Sequence, residues 1–262
     1  MTILCIETST SVCSAAICKD GVPGKQCISY DGSNHARLLP RYIEELLSYA
    51  REQGLSIDAV ALSEGPGSYT GLRIGASTAK GLCYGLNIPL IPVPTLEVLC
   101  EAAKKNLSSV SPKDGLYSVS EAVLVPMIDA RRMEVYTKGL SDKVQSTKEK
   151  DVRAVVVESE ESLIKGLRDK VQSTKETEYY YFGDGAAKCQ AVLKSENWHF
   201  VSGIVPEAQY MGALVESRKP KDESGKSKVE SPKMISGAEL AYYEPFYLKE
   251  FIAAPSHVKG LN

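Results

Sequence analysis

Histidine is scarce: His35, His199 and His257 are the only three in 262 residues. None stands at a metal-ligand spacing from another, so a histidine-built metal centre is excluded. Cys-x-x-Cys pairs are missing too. The seven cysteines are odd in number, and Cys5, Cys13, Cys18 and Cys27 fall in strand-like stretches. They read as small buried hydrophobes in a reducing compartment, not as disulfide partners. No apolar run has the length of a membrane span, and Met1 leads straight into a strand-like segment. The expectation is a cytoplasmic protein without membrane contact. Excess charge is also lacking. The balance of 31 Lys and Arg against 33 Asp and Glu leaves −2, so no basic field is available to hold nucleic acid tightly without help. A Gly-x-Ser-x-Gly nucleophile elbow is absent as well.

What is present is an ordinary globular balance, 43% hydrophobic and 24% charged, around one unusual stretch. Ser63-Glu64-Gly65-Pro66-Gly67-Ser68-Tyr69-Thr70-Gly71-Leu72-Arg73-Ile74-Gly75 reads as a strand end, a glycine-rich turn and a helix start. Such a turn suits an anion. Both standard phosphate-loop spellings fail, however. The Walker form ends in Gly-Lys-Ser/Thr, where this loop has Gly71-Leu72-Arg73. The dinucleotide form places two residues between its second and third glycines, where Gly67 and Gly71 are separated by three. The glycines need another explanation. Gly71, Gly75, Ala79 and Cys83 form one row on the predicted helix Gly71–Leu86, and Ser77, Gly81 and Gly85 form another. Each interior glycine costs about 1 kcal/mol relative to alanine, so a close neighbour must offset it. That neighbour is either a segment of the same domain or a second chain.

Hydrophobic spacing predicts strands at Ile3–Glu7, Val12–Cys18 and Gln26–Tyr30, with Asp20-Gly21 as a hairpin turn. A helix follows, with Leu38, Leu39, Tyr42, Ile43, Leu46, Leu47 and Ala50 on its apolar face and Gly54 as its stop. Pro40 requires that helix to begin near Leu38 or to bend. Ala59–Ser63 and Leu90–Val93 are further strands. Strand-strand-strand-helix-strand-helix is a ribonuclease-H-like order. A second such unit starts at Ala122, with strands at Val123–Asp129, Met133–Gly139, Val155–Val157 and Tyr179–Phe182. Its helices are expected near Glu160–Leu167 and Ala186–Leu193. Each unit opens with a strand that ends in an acid, Glu7 or Asp129, which suggests an internal duplication. The expected division is residues 1–110 and 111–262. Residues 218–233, rich in Lys, Ser, Glu and Pro, predict a solvated loop in which Glu223, Glu230 and Asp222 dilute the lysines. Gly139–Glu149 and Gly166–Glu176 match at all positions but Ser141 and Arg168, which reads as a local duplication in exposed loops.

Several of these segments together resemble the bacterial TsaB (YeaZ) family. They are Ile3-Leu4-Cys5-Ile6-Glu7-Thr8-Ser9-Thr10, His35-Ala36-Arg37-Leu38-Leu39-Pro40, the glycine loop through Gly75, Lys80-Gly81-Leu82, and Asp129-Ala130-Arg131 with Glu134-Val135-Tyr136. Pro245-Phe246-Tyr247-Leu248-Lys249 also looks like that family's ending, with Lys249 where arginine is common. The match is closest over residues 1–100 and thins beyond Val152.

The resemblance implies an α/β, actin-like and Hsp70-like ATPase fold of two ribonuclease-H-like units. It implies a part in making threonylcarbamoyladenosine beside the tRNA anticodon. In that system TsaC makes a threonylcarbamoyl adenylate and TsaD transfers the group. TsaB is a non-catalytic partner of TsaD, and TsaE is a further ATP-using subunit. ATP and metal are then expected in the partner subunits, none held tightly by this chain, and tRNA is met only through the complex. The partner-binding residues would be Leu38, Leu39, Tyr42, Ile43 and Leu46 on the first helix. On the second they would be Gly71, Leu72, Gly75, Thr78, Ala79 and Leu82. In isolation the same face supports a homodimer.

TsaD-type enzymes carry His-x-x-x-His after a similar helix; here Thr95 and Leu99 occupy those positions, a poor metal pair. The alternative is an independent actin-like ATPase or small-molecule kinase. In that reading Glu7 and Asp129 face each other across a cleft, with Thr8, Ser9 and Arg131 beside them. A surface ion pair and a phosphate contact are both open to Arg131 and Arg132.

Overall fold

The computed structural model describes residues 1–32, 34–108, 123–138, 152–167, 177–218 and 232–249. Residues 139–149, most of the second matching segment, residues 219–231 and His257 lie outside that set, so the readings made on them do too.

The first sheet holds β1 (Thr2–Glu7), β2 (Cys13–Lys19), β3 (Val22–Ser29), β4 (Ala59–Gly65) and β5 (Leu90–Pro94), in the order β3-β2-β1-β4-β5. The first three strands pair antiparallel and the last two join in parallel. Asp20 and Gly21 both have positive φ, +49° and +79°, the conformation that a two-residue hairpin turn requires. Alternation along β1 sends Leu4 and Ile6 to one face and Ile3 and Cys5 to the other. Both sets are apolar because helices cover both faces.

On one face lie α1 (His35–Glu52) and α2 (Tyr69–Leu86). α1 is already helical at His35, so of the two alternatives for Pro40 the start near Leu38 falls away. Pro40 stands inside the helix on its exposed side, where the carbonyl it leaves unpaired can reach water. Gly54, at φ +64°, ends α1 as expected, and Leu55 N–H returns to Ala50 O at 2.8 Å. The cysteines of the first three strands are all buried, as expected.

The second sheet contains β6 (Val123–Asp129), β7 (Glu134–Thr137), β8 (Arg153–Val156), β9 (Tyr179–Phe182) and β10 (Trp198–Val201), ordered β10-β9-β6-β7-β8. Read from the other edge, this is the first sheet's order. Its pairing follows the same scheme of two antiparallel and two parallel junctions. α4 (Glu160–Leu167) covers one face. The helix expected at Ala186–Leu193 is a short 3-10 turn, Ala187–Ala191.

Between the sheets lies α3 (Thr95–Ser108), which hydrophobic spacing did not pick out. Val98 packs on the first sheet, while Leu96, Leu99, Ala103 and Leu107 pack on the second. Its first turns, Thr95–Cys100, are buried throughout, and the exposed polar residues Lys105 and Asn106 come only in its last turn. After β10 the chain returns to the first sheet. There α5 (Met211–Ser217) places Met211 and Val215 against Ile3, Cys5 and Cys18. Residues 232–249, including α6 (Ala238–Tyr242), form a strap over that sheet's edge and α2. Ile235 bridges Leu90 with hydrogen bonds of 2.8 and 2.9 Å.

Candidate functional site

The glycine loop is filled by the protein itself. A Cβ on Gly67 would overlap Ser9 O, one on Gly71 would overlap Thr8 O, and one on Gly75 would overlap Thr8 Oγ1. The turn after β1 therefore runs directly against the start of α2. Ser68 N–H donates to Ser9 O at 2.6 Å, and the Thr8 hydroxyl donates to Gly71 O at 2.8 Å. The Ser68 side chain caps α2 by accepting from Gly71 N–H at 3.3 Å. On the other side, Phe246 of the strap donates its N–H to Glu64 O at 2.7 Å. Here small residues permit backbone-to-backbone packing, and the N–H groups of Gly65, Ser68 and Gly71 are committed internally.

Part of the expected partner face is covered within the chain itself. Gly71, Leu72, Gly75 and Ala79 of α2 are buried, and so are Leu39, Ile43 and Leu46 of α1. They pack on their own sheet or turn. Leu38, Tyr42, Thr78 and Leu82 are half-buried at the margin. The other row is the open one. A Cβ at Gly81 or Gly85 would meet nothing within 4 Å. Ser77 is exposed beside them, Tyr84 is 86% exposed and Leu86 45%.

The acids of the expected cleft are separated in character. Glu7 is fully buried, and its Oε1 accepts from Ser9 N–H at 2.7 Å and from the Ser9 hydroxyl at 2.5 Å. Its Oε2 has no hydrogen-bond partner among the described residues. Burial pushes this carboxyl above its ordinary range, against the lowering effect of its hydrogen bonds. Thr8 and Ser9 are buried with it. Asp129 is exposed and paired with Lys188, and it accepts from Arg131 N–H at 3.1 Å. A sealed acid and an exposed, paired one do not make an open carboxylate pair for a nucleotide-bound ion. Arg131 and Arg132 form the β6–β7 turn as expected, at φ +69° and +50°.

The positions corresponding to the two metal histidines are also committed. Thr95 Oγ1 lies 2.7 Å from Ser63 Oγ and accepts from Gly65 N–H at 3.1 Å, while Leu99 sits in the core. His35 is buried and donates Nε2–H to Thr10 O and Val12 O, at 3.0 and 3.2 Å, pinning the β1–β2 turn. Among the described residues no three metal-binding side chains cluster, and no helix is long and apolar enough to cross a membrane.

Spacing also gave no sign of a groove of about 480 Å³ between α2 and the strap. Tyr69, Arg73, Lys80, Tyr243, Tyr247 and Lys249 are among its walls. Arg73 lies over the Tyr69 ring and bonds its hydroxyl at 2.7 Å. Lys80 donates to Ala241 O and Tyr243 O, at 2.7 and 3.2 Å. The one sequence signal of this wall was the Pro245–Lys249 motif.

A family model described as TsaD, tRNA N6-adenosine threonylcarbamoyltransferase, matches residues 30–202. The chain is 33% identical over 148 residues to a Haemophilus influenzae protein named tRNA threonylcarbamoyladenosine biosynthesis protein TsaB, covering 56% of this chain and 57% of that one. The chain belongs to the family that this model describes, and within it the chain is similar to proteins named TsaB.

The TsaB of Escherichia coli is 35% identical over 136 residues, with 52% of this chain and 53% of that one covered. The chain spans about half the length of the curated relatives it matches. A solved structure of YeaZ from Pseudomonas aeruginosa superposes with a TM-score of 0.57 at 24% identity, over 81% of this chain and 90% of that one. A second, described as similar to peptidase YeaZ from the same organism, gives 0.63 at 22%, over 95% and 99%. The two duplicated sheets are those of the actin-like ATPase fold.

Proposed function

We propose that this chain is the non-catalytic subunit of a complex that forms threonylcarbamoyladenosine on tRNA in the cytoplasm. It binds a TsaD-like subunit, which transfers the threonylcarbamoyl group, and a TsaE-like ATPase joins the pair. ATP and metal belong to those partners, and tRNA is met through the assembly. Alone, the same face pairs two copies of this chain.

One observation carries this reading. In α2 the cost of Gly71 and Gly75 is offset by close approach to the Thr8–Ser9 turn, whereas nothing within 4 Å offsets Gly81 or Gly85. Helix glycine costs about 1 kcal/mol relative to alanine, and Tyr84 stands exposed beside it. An uncompensated glycine next to an exposed aromatic is what a helix needs when another backbone must approach it. The half-buried Leu38, Tyr42, Thr78 and Leu82 edge that face. The internal commitment of Glu7, Thr95 and the glycine loop weighs against chemistry within this chain.

The test is binding to a purified TsaD-type subunit. Tyr84→Ala should keep the parent's thermal midpoint and Gly81→Leu should keep or raise it, while both, at exposed positions, should weaken binding at least about tenfold. Parental affinity in both variants would remove α2 from the interface. Saturable ATP hydrolysis by the chain alone, abolished by Glu7→Ala or Asp129→Ala, would favour the enzyme reading instead.

A further inference from the structure

Three sequence motifs that the proposed function leaves unused meet along the groove between α2 and the strap. The glycine-loop motif supplies Tyr69 and Arg73 to its walls, and the closing motif supplies Tyr247 and Lys249. These side chains are layered. The Tyr69 and Tyr247 ring centroids are 5.1 Å apart, and the Arg73 guanidinium lies 5.3 Å from the Tyr69 centroid. Arg73 is exposed and forms no ion pair among the described residues. Lys249 leads on to the third motif, in the second sheet. Its ammonium pairs with Glu134 and lies 5.8 Å from the Tyr136 centroid, and the Arg131 charge acts on the same Tyr136 hydroxyl. Arg131 and Arg132 are both exposed and form no ion pair among the described residues, which leaves the phosphate contact as the open reading for them. Glu244 is the one acid in the groove wall, and Glu134 and Asp129 are taken by Lys249 and Lys188.

Cations interleaved with aromatic rings suit a strand of nucleotides, whose phosphates take the charges while unpaired bases stack on rings and guanidinium planes. We propose that the track from Arg73 through Lys249 to Arg131 and Arg132 is this chain's own RNA contact, and that it takes a short single-stranded stretch. A base stacks on the outer face of the Arg73 guanidinium, which the Tyr69 ring backs, and phosphates follow at Lys249 and the β6–β7 turn. A duplex keeps its bases stacked inside and cannot offer one to Arg73. Arg131 and Arg132 are not among the groove's walls, so a ligand that reaches them is longer than the groove. That the RNA is a tRNA rests on the function proposed above. With a net charge of −2 over the whole chain, the contact is weak alone and adds to what a partner subunit supplies.

The experiment is fluorescence anisotropy on the full chain, with a labelled single-stranded RNA of mixed sequence and about 12 nucleotides, titrated across about 50–200 mM salt. The parent should bind with a Kd of about 1–100 µM at the low end and weaken as salt rises. Arg73→Lys keeps the charge and loses the plane, so it should weaken binding at least about fivefold with the salt slope unchanged. Arg131→Asn with Arg132→Asn removes two charges and keeps residues that accept positive φ; the slope of log affinity against log salt should fall by about 1.4. All of these positions are exposed, and the variants should melt with the parent. Absence of saturable binding overturns the proposal, and so does binding that neither variant changes. Equal binding of the same sequence as a duplex overturns it in favour of a patch that reads phosphate alone. Displacement of the RNA by an equal concentration of ATP overturns it in favour of a mononucleotide site. Binding of the parent to the TsaD-type subunit, measured in parallel, keeps the two readings apart: subunit binding without RNA binding overturns this inference alone, and RNA binding without subunit binding overturns only the function proposed above.

Discussion

At the scale of single residues, the most informative group is the carboxyl of Glu7. Full burial and a pKa raised by desolvation, against the lowering effect of hydrogen bonds from Ser9 and Ser63, describe an acid whose neutral form the fold favours. Below about pH 4.5, the ordinary carboxyl value, folded and unfolded chains both hold the proton and the group is indifferent. As the pH rises past that value the unfolded chain releases its proton first. The folded chain then binds more protons, and stability falls with pH until the folded-state value is passed. Glu7→Gln keeps an oxygen for Ser9 and cannot ionise. Its thermal midpoint relative to the parent should therefore rise between pH 5 and 8, by about 2–4 °C for each kcal/mol relieved. Melting curves of both proteins across that range check this, and a difference constant with pH would show that Glu7 is not held neutral. The acid at the end of the strand could be read from the sequence; its burial could not. Sequence order placed Glu7 beside a cleft, but the turn that follows folds over it and meets the glycine loop.

At the scale of elements, α2 carries glycines with opposite meanings in one helix. Gly75→Ala would collide with Thr8 Oγ1 and sit 3.0 Å from Leu62 Cδ1, so it should destabilise by about 1–3 kcal/mol. Gly81→Ala enters open space and should stabilise the isolated chain by about 1 kcal/mol. Denaturant titration of both variants checks the signs, and the same sign in both would mean that the two rows share one environment. Spacing located both rows but could not say which faced inward, because glycine carries no polarity to mark a side. The amphipathic α1 was more legible: Leu39, Ile43, Leu46 and Ala50, at helical spacing, are its buried face. α3 was missed because its first turns, Thr95–Cys100, are all buried between the sheets, and its partly exposed polar residues, Glu101, Lys104, Lys105 and Asn106, come only in its second half. The four-residue β10 and the seven-residue α5 are short enough that tertiary contacts decide them over local preference.

At the scale of the whole molecule, two sheets of one topology are joined by a shared helix and closed by a strap. The duplication was visible as two strands ending in acids. The return of the chain to the first sheet was not, since it depends on contacts far apart in sequence. The strap is held by two kinds of contact of unequal strength. Ile235 is 4% exposed in the first core and pairs with Leu90 through its backbone. At the far end, the Lys249 ammonium meets Glu134 of β7 with both side chains about a third exposed, and it lies over the Tyr136 ring. Water and ions screen the second contact and cannot reach the first. Ile235→Ala should therefore cost about 2–5 kcal/mol, while Lys249→Met should cost no more than about 1 kcal/mol. Amide exchange separates the two by location. In Ile235→Ala, the Leu90 and Phe246 N–H groups, which bond across to and from the strap, should lose protection together. In Lys249→Met both should stay protected. If Lys249→Met releases Leu90 as readily as Ile235→Ala does, the strap is tied down from its outer end, and the ion pair outweighs the buried isoleucine.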